Sequence, residues 1–204
     1  MANESEDMFL QDISNILMSN MNILLQNLQE KTREIDRIVF LRSNAIENTK
    51  LDLDLKKNNL KHILEKVIDI YQIGFGHKIR IYEMHFLSLI EEFVFDKERI
   101  FQVIDNLLSN ATRFTLEGMI IIEVENDLNY VYISIKDSGS GIRPDEMQHI
   151  FELGFKGKDS FGHGVGLYFV NKVIEAHGGD IKVKSKYGKG TEFKISLKLD
   201  LNEN

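Results

Sequence analysis

Apolar residues recur at helical spacing through the first third of the chain. Leu10, Ile13, Leu17, Met21, Leu24 and Leu28 step by 3, 4, 4, 3 and 4, the seam of a helix that packs against other helices. Residues 8–72 contain neither glycine nor proline. A second, less regular stripe, Ile35, Ile38, Val39, Ala45 and Ile46, predicts a returning helix, with the hairpin turning near residues 30–33. Two helices make a poor core, and a second copy completes it as a dimeric four-helix bundle, so a homodimer through these helices is expected. Residues 1–50 are therefore read as a helical hairpin and the polar residues 51–59 as a linker. Residues 60–204 are read as a second domain, opened by a helix carrying Leu60, Ile63, Leu64, Val67, Ile68 and Tyr71.

Past residue 78 the period shortens to two. Alternation predicts strands at 78–82, 119–125 and 130–136, the last two joined by the turn-like residues 126–129, and a closing hairpin of strands 181–185 and 192–199 with Thr191 near its turn. Between them Asp96 is a good N-cap for a helix running to about Thr112, with Phe101, Ile104, Leu107, Leu108 and Ala111 as its buried face. Pro144 suits the first turn of a short helix through Ile150. Leu167, Val170, Val173 and Ile174 carry the helical period again. The fold class is α+β.

The stretch with the most chemistry is Asp137-Ser138-Gly139-Ser140-Gly141-Ile142, which follows the alternating strand directly. A carboxylate held at a strand end accepts a hydrogen bond from an exocyclic amine, and Gly139 and Gly141 leave room for a flat ligand against the backbone. Eleven of the fourteen glycines lie between Gly139 and Gly190, so backbone freedom is concentrated around this motif. Upstream, Asn106 and Asn110 sit four apart on one helix face, and Arg113 follows. Two carboxamides and a cation at that spacing present oxygens to Mg²⁺ and positive charge to phosphate. Downstream, residues 151–162, with Phe155, Lys156 and Gly157 among them, form a basic, glycine-broken segment suited to a mobile lid. Gly162, Gly164 and Gly166 then run through Leu167 into a helix amino terminus, where free N–H groups and the helix dipole make an anion site. The spacing is not the dinucleotide fingerprint, whose third glycine would fall at Leu167, and no Walker sequence is present.

Composition narrows the partners. The chain has no cysteine, which removes disulfides and thiolate metal sites and fits a reducing compartment. A formal charge of −7 argues against general nucleic-acid binding, so a polyanionic ligand has to be met by local cations. No apolar run is long enough to cross a bilayer, and the first residues are acidic where a secretory signal is basic, so a cytoplasmic protein without a membrane segment is expected.

The asparagine helix, the strand-end Asp with two glycines, the Phe-containing lid, the triple-glycine helix start and the Gly188-Lys189-Gly190-Thr191 hairpin come in one compact order. Over roughly residues 60–199 that order resembles the ATP-binding domain of sensor histidine kinases, within the Bergerat-fold superfamily that also includes gyrase-type topoisomerases, heat-shock chaperones and mismatch-repair ATPases. The resemblance implies an α/β sandwich, a mixed sheet under three helices. It implies ATP and Mg²⁺ as cofactors, with Asp137 on the adenine amine and Thr191 supporting it through water. Asn110 is then the Mg²⁺ ligand with Asn106 nearby, Arg113 and Lys156 are phosphate-side cations, and Gly162, Gly164 and Gly166 are the phosphate cradle.

The helical first third is similar, more loosely, to the dimerisation and phosphoacceptor hairpin of the same kinases. There an exposed histidine is followed by an acidic residue and, four positions on, by Asn or Thr. Asp12 and Asn15 match that pattern, and Gln11 occupies the histidine position. An imidazole nitrogen has an available lone pair, whereas a glutamine amide nitrogen delocalises its own, so the chain is expected to bind ATP without phosphorylating itself at this position. Three readings of Gln11 stay open: a substitution that holds an unphosphorylated state, a natural pseudokinase scaffold, or a protein retaining phosphatase activity toward a response-regulator receiver. A serine-directed kinase of the anti-sigma type shares the nucleotide domain but has no need of the Asp12 and Asn15 pattern. A gyrase-like ATPase would carry a glutamate base on the asparagine helix, where Asp105 falls on a different face.

Overall fold

The computed structural model describes residues 17–21, 23–24, 27–28, 31–32, 35, 38, 51–74, 79–157 and 164–201. The chain divides into two units, Met1–Arg42 and Ser43–Asn204. In the first, the described residues are helical. Lys31 and Thr32, where the pattern places the hairpin turn, are themselves helical, and the Thr32 hydroxyl donates back to the Leu28 carbonyl at 2.9 Å. No glycine or proline lies nearby to break a helix at these two residues, and residues 29–30 and 33–34 lie outside the described residues. Its apolar side chains, among them Leu17, Met21, Leu24 and Leu28, are exposed.

The second unit is a two-layer α/β sandwich. Its elements run β1 (Lys56–Asn59), α1 (Leu60–Gly74), β2 (Ile79–Phe86), β3 (Glu92–Phe95), α2 (Lys97–Phe114), β4 (Gly118–Asn126), β5 (Tyr130–Asp137), α3 (Gly166–Ala176), β6 (Asp180–Lys186) and β7 (Gly190–Lys198). Five strands form one sheet in the order β2-β4-β5-β7-β6. β2 pairs parallel with β4 and all other neighbours are antiparallel. The sheet is mixed, as in the Bergerat fold.

One face of the sheet is apolar because its strands alternate: Ile120, Ile122 and Val124 on β4 and Val131, Ile133 and Ile135 on β5 are buried, as are Phe193, Ile195 and Leu197 on β7. The helices close over this face with Leu60, Leu64 and Val67 from α1, Ile100, Ile104 and Leu107 from α2, and Phe169, Val170 and Val173 from α3. On the opposite face of β6, Lys182, Lys184 and Lys186 are exposed, which protects this sheet edge from pairing with another chain. No helix among the described residues is long and apolar enough to cross a membrane.

Three elements differ from the sequence reading. Lys56–Asn59, placed in the linker, is strand β1, antiparallel to β3. Its polar side chains hid it, because the ribbon is held by backbone pairing and by Asn58 Nδ2, which donates to the Phe95 carbonyl at 2.8 Å. Leu53, also placed in the linker, is buried. The segment after Pro144 is a run of turns and not an α-helix, with Glu146, His149 and Glu152 each donating an N–H to the carbonyl three residues back. Phe101 is half-buried, while Ile100 and Val103 take places in the buried face of α2.

Asp96 caps α2 as expected, its Oδ1 accepting from Arg99 N at 3.0 Å. Its own N–H donates to Nε2 of His177 at 3.0 Å, and His177 Nδ1 lies 2.7 Å from the Val173 carbonyl. A carbonyl only accepts, so Nδ1 carries the proton and the buried ring is neutral. Burial holds His177 below its ordinary value of 6.5, against the opposing influence of the Val173 carbonyl and the Asp96 carboxylate. The unfolded chain therefore binds the proton first, and this stability is present above about 6.5 and lost as pH falls toward the depressed folded value. Urea midpoints are expected to fall from pH 7.5 to pH 5.5, and less so in His177→Gln, which has nothing to titrate there. An equal fall in both would assign the effect to other groups.

Candidate functional site

Asp137 ends β5 opposite the start of β7, in a corner built by backbone pairing. Lys136 pairs with Glu192, and Ser185 and Lys186 of β6 pair with Thr191 and Gly190. The carboxylate is 7% exposed. Its Oδ1 accepts from Gly139 N at 2.8 Å and from Thr191 N at 3.2 Å. Both hydrogen bonds that Asp137 accepts among the described residues land on Oδ1, which leaves Oδ2 for a donor from outside the protein. Burial pushes the Asp137 carboxyl above its ordinary value, and the Gly139 and Thr191 N–H groups oppose that shift. The Thr191 hydroxyl lies 3.0 Å from that of Ser185, which in turn accepts from Ile142 N at 2.8 Å. Ser185 thus joins the hairpin to the glycine turn, a role the sequence reading did not see.

The glycines are needed here by protein neighbours. A Cβ on Gly139 would stand 2.3 Å from the Phe114 carbonyl oxygen, and one on Gly141, whose φ is +67°, would stand 2.3 Å from that of Lys186. The turn is clamped between the end of α2 and the β6–β7 hairpin, with Ser140 N donating to the Phe114 carbonyl at 3.0 Å and Gly188 N to the Ser140 carbonyl at 2.6 Å. The close approach inferred for a flat ligand is made by backbone on this side of the loop. Beside Gly139 lies Thr115, fully buried, whose Oγ1 is the one buried side-chain polar atom without a hydrogen-bond partner among the described residues.

Asn106 and Asn110 share a face of α2, but their environments differ. Asn106 is 3% exposed and donates from Nδ2 to the Gly166 carbonyl at 3.2 Å. A Cβ on Gly166 would stand 2.5 Å from Asn106 Oδ1, so Gly166 is glycine to admit this side chain. Asn110 is half-buried one turn further on, and Arg113 is half-buried in the last turn of α2, where the helix dipole favours a cation. Asp105 faces α1, with the Tyr71 hydroxyl 2.8 Å from its Oδ1.

Gly164, with φ +70°, accepts from Gly154 N at 3.0 Å, and a Cβ there would meet the Phe155 carbonyl oxygen at 2.5 Å. α3 starts two residues later without a side-chain cap or an acidic residue in its first turn, and Leu167 is half-buried there. Its first N–H groups are open to an anion. Lys156 is exposed at the edge of the described residues. Gln11, Asp12, Asn15 and Gly162 lie outside the described residues.

The candidate site thus comprises a buried carboxylate with one oxygen unengaged, an uncapped helix start and a buried carboxamide tied to that start. A family model described as the histidine kinase-, DNA gyrase B- and HSP90-like ATPase matches residues 95–201, which span β3 to the end of β7. The chain belongs to this family. Among curated members, the sensor protein SrrB of Staphylococcus aureus is 40% identical over 111 residues, covering 50% of this chain and 19% of that protein. The chain thus spans about a fifth of the length of that relative. Among solved structures, the catalytic domain of histidine kinase ThkA superposes with a TM-score of 0.62 at 27% identity, over 72% of this chain and 99% of that one. Full-length ShkA in complex with AMPPNP gives 0.64 at 27% identity, over 73% and 32%. The Acinetobacter baumannii histidine kinase AdeS gives 0.67 at 25% identity, over 88% and 85%.

The residues of this ATPase-family site fit a Mg²⁺-bound adenine nucleotide. Asp137 Oδ2 is left for an amine. No group of three or more His, Asp or Glu among the described residues is arranged to hold a metal ion.

Proposed function

We propose that this chain is the catalytic core of a two-component histidine kinase, one that binds Mg²⁺-ATP in the Asp137 corner. The observation that carries this reading is the asymmetry of Asp137, one carboxylate oxygen spent on Gly139 N and Thr191 N and the other unspent. Asp137 accepts from the adenine amine, with Thr191 supporting the base through water. Gly139 and Gly141 shape the pocket wall. Gly162, Gly164, Gly166 and Leu167 bring backbone N–H groups to the phosphates, and Arg113 and Lys156 add positive charge. Asn110 ligates Mg²⁺, and Asn106 holds the glycine turn beside it. Bound Mg²⁺ neutralises charge developing on the phosphates during transfer.

The acceptor in this reading is position 11 of a homodimer formed through the amino-terminal helices, and the onward acceptor is an aspartate of a response-regulator receiver. Gln11 makes the chain silent in autophosphorylation, while Asp12 and Asn15 retain the polar pattern around it. A phosphatase acting on the receiver, or a nucleotide-sensing scaffold, is compatible with the same nucleotide site. The engagement of Asp105 with Tyr71 removes the one carboxylate beside the asparagines that a gyrase-like hydrolase would use as a base.

Base selectivity tests the nucleotide reading. The guanine C6 carbonyl would set an acceptor against Asp137 Oδ2, and an unmatched polar pair of this kind costs about 2 kcal/mol, or roughly 30-fold. ATP is therefore expected to displace a fluorescent ADP analogue at concentrations well below those needed for GTP. Equal displacement by both would remove Asp137 from base recognition.

A further inference from the structure

Helices α2 and α3 lie antiparallel and are tied at two places. The near tie, Asn106 Nδ2 to the Gly166 carbonyl at 3.2 Å, belongs to the nucleotide site. The far tie, Asp96 N to His177 Nε2 at 3.0 Å, is buried and remote from it. The two are about ten residues apart on either helix, or roughly 15 Å along the axis. Between them the buried residues are apolar on both helices but for Asp105, which faces α1, with Ile100, Val103 and Ile104 on α2 and Phe169, Val170 and Val173 on α3.

Apolar burial is non-directional and does not by itself fix how far one helix is slid along the other. A hydrogen bond does, because it weakens steeply with length and angle. The near tie is already at the long end of the normal range, and Asn106 is buried, so a small axial shift leaves a buried amide poorly paired. His177 cannot adjust to such a shift, since its other nitrogen is held by the Val173 carbonyl at 2.7 Å. Asp96 is also the N-cap of α2, and its second oxygen, Oδ2, accepts from Asp54 N at 2.9 Å. The segment by which the chain enters the domain thus ends on the same node.

We propose that Asp96 and His177 are positioning residues of the nucleotide site, fixing the axial register of α2 against α3 so that Asn106 meets Gly166, with Asp54 hooking the entering segment to the same point. This rests on the nucleotide reading given above. It assigns the pair a role at a distance: strain on the entering segment, or loss of the His177 acceptor, reaches the asparagines and the glycine turn as a slip between two helices.

The test compares Mg²⁺-AMPPNP affinity and thermal midpoint for four variants of the full chain. His177→Gln places an acceptor near the Nε2 position and is the rescue. His177→Asn keeps a group near Nδ1 for Val173 but does not reach Asp96 N. Asp96→Asn keeps a good N-cap but has one acceptor oxygen for two N–H donors. Asp137→Asn reports whether binding uses the expected pocket. His177→Asn and Asp96→Asn are expected to weaken AMPPNP binding about ten-fold while folded, with His177→Gln restoring most of it. If His177→Asn does not fold, His177→Met, which keeps much of the ring's volume but offers the Asp96 backbone N–H only a weak acceptor, takes its place; Asp96→Asn leaves that N–H in place and reports on the Asp54 hook alone. Folded His177→Asn or His177→Met binding like the wild type, with Asp137→Asn defective, would overturn the register proposal and leave the nucleotide reading standing. A wild-type chain that binds no AMPPNP would overturn both.

Discussion

Asp137→Asn is expected to weaken ATP binding roughly 100-fold while leaving the free domain at least as stable at neutral pH. The carboxamide oxygen can take over the two N–H groups that Oδ1 now accepts from, Gly139 and Thr191. Its NH₂ then occupies the Oδ2 position and opposes the adenine amine, donor against donor. The stability side follows from the direction of the shift. Burial raises the Asp137 carboxyl above its ordinary value of 3.8. The folded state therefore holds this proton more tightly, and the contribution is favourable at low pH and lost as pH rises through the folded value. At neutral pH the domain carries a buried, ionised carboxylate whose desolvation is only partly offset, and the neutral amide relieves it. Isothermal titration with AMPPNP and urea unfolding at pH 7 measure the two effects. Undiminished affinity would take Asp137 out of the binding site, and a marked loss of stability would mean that the second oxygen already has a structural partner.

Gln11→His is expected to turn an unlabelled chain into one that incorporates acid-labile, base-stable label from γ-³²P-ATP. The amide nitrogen of Gln11 has no lone pair to offer, whereas an imidazole nitrogen does. In the variant a phosphorus–nitrogen bond forms as the bond to ADP breaks, and the imidazole proton passes to Asp12. The substitution lies far from the nucleotide residues in sequence, so AMPPNP affinity should be unchanged, and that equality separates a missing acceptor from a defective pocket. Label in the wild-type chain would place the acceptor elsewhere. Its absence from both chains, with binding intact, would point to the phosphatase or the scaffold.

Much of the nucleotide corner was legible because its signals are local. The alternation of β5 leads straight into Asp137, the Gly188 to Thr191 turn joins two alternating strands, and Asp96 caps a strongly amphipathic helix. Other features depend on distant neighbours. By the helical period Asn106 falls with Asn110 on a polar face, yet it is buried. In the fold α2 is covered by α1 and α3 as well as by the sheet, so the buried arc runs continuously from Val103 through Leu108, wider than an amphipathic stripe implies. β1 was missed because its residues are polar and its order comes from pairing with β3, which no local pattern encodes.

The glycines were found by their density, but their reason differs from the one inferred. Gly139 is held against Phe114, Gly141 against Lys186, Gly164 against Phe155 and Gly166 against Asn106. All but the Gly164 contact join segments 25 or more residues apart in sequence. His177 gives no local signal for the same reason, since its partner Asp96 is 81 residues away. The hydroxyl of Thr115, buried and without a hydrogen-bond partner among the described residues, carries no sequence signal at all.

The measurement that bears most directly on the central claim is a backbone amide NMR titration with Mg²⁺-AMPPNP. The account predicts large, saturable shifts at Gly139, Gly141 and Thr191 around the base and at Gly164, Gly166 and Leu167 around the phosphates, with the outer lysine face of β6 unmoved. Shifts confined to other surfaces, or none at millimolar nucleotide, would contradict it.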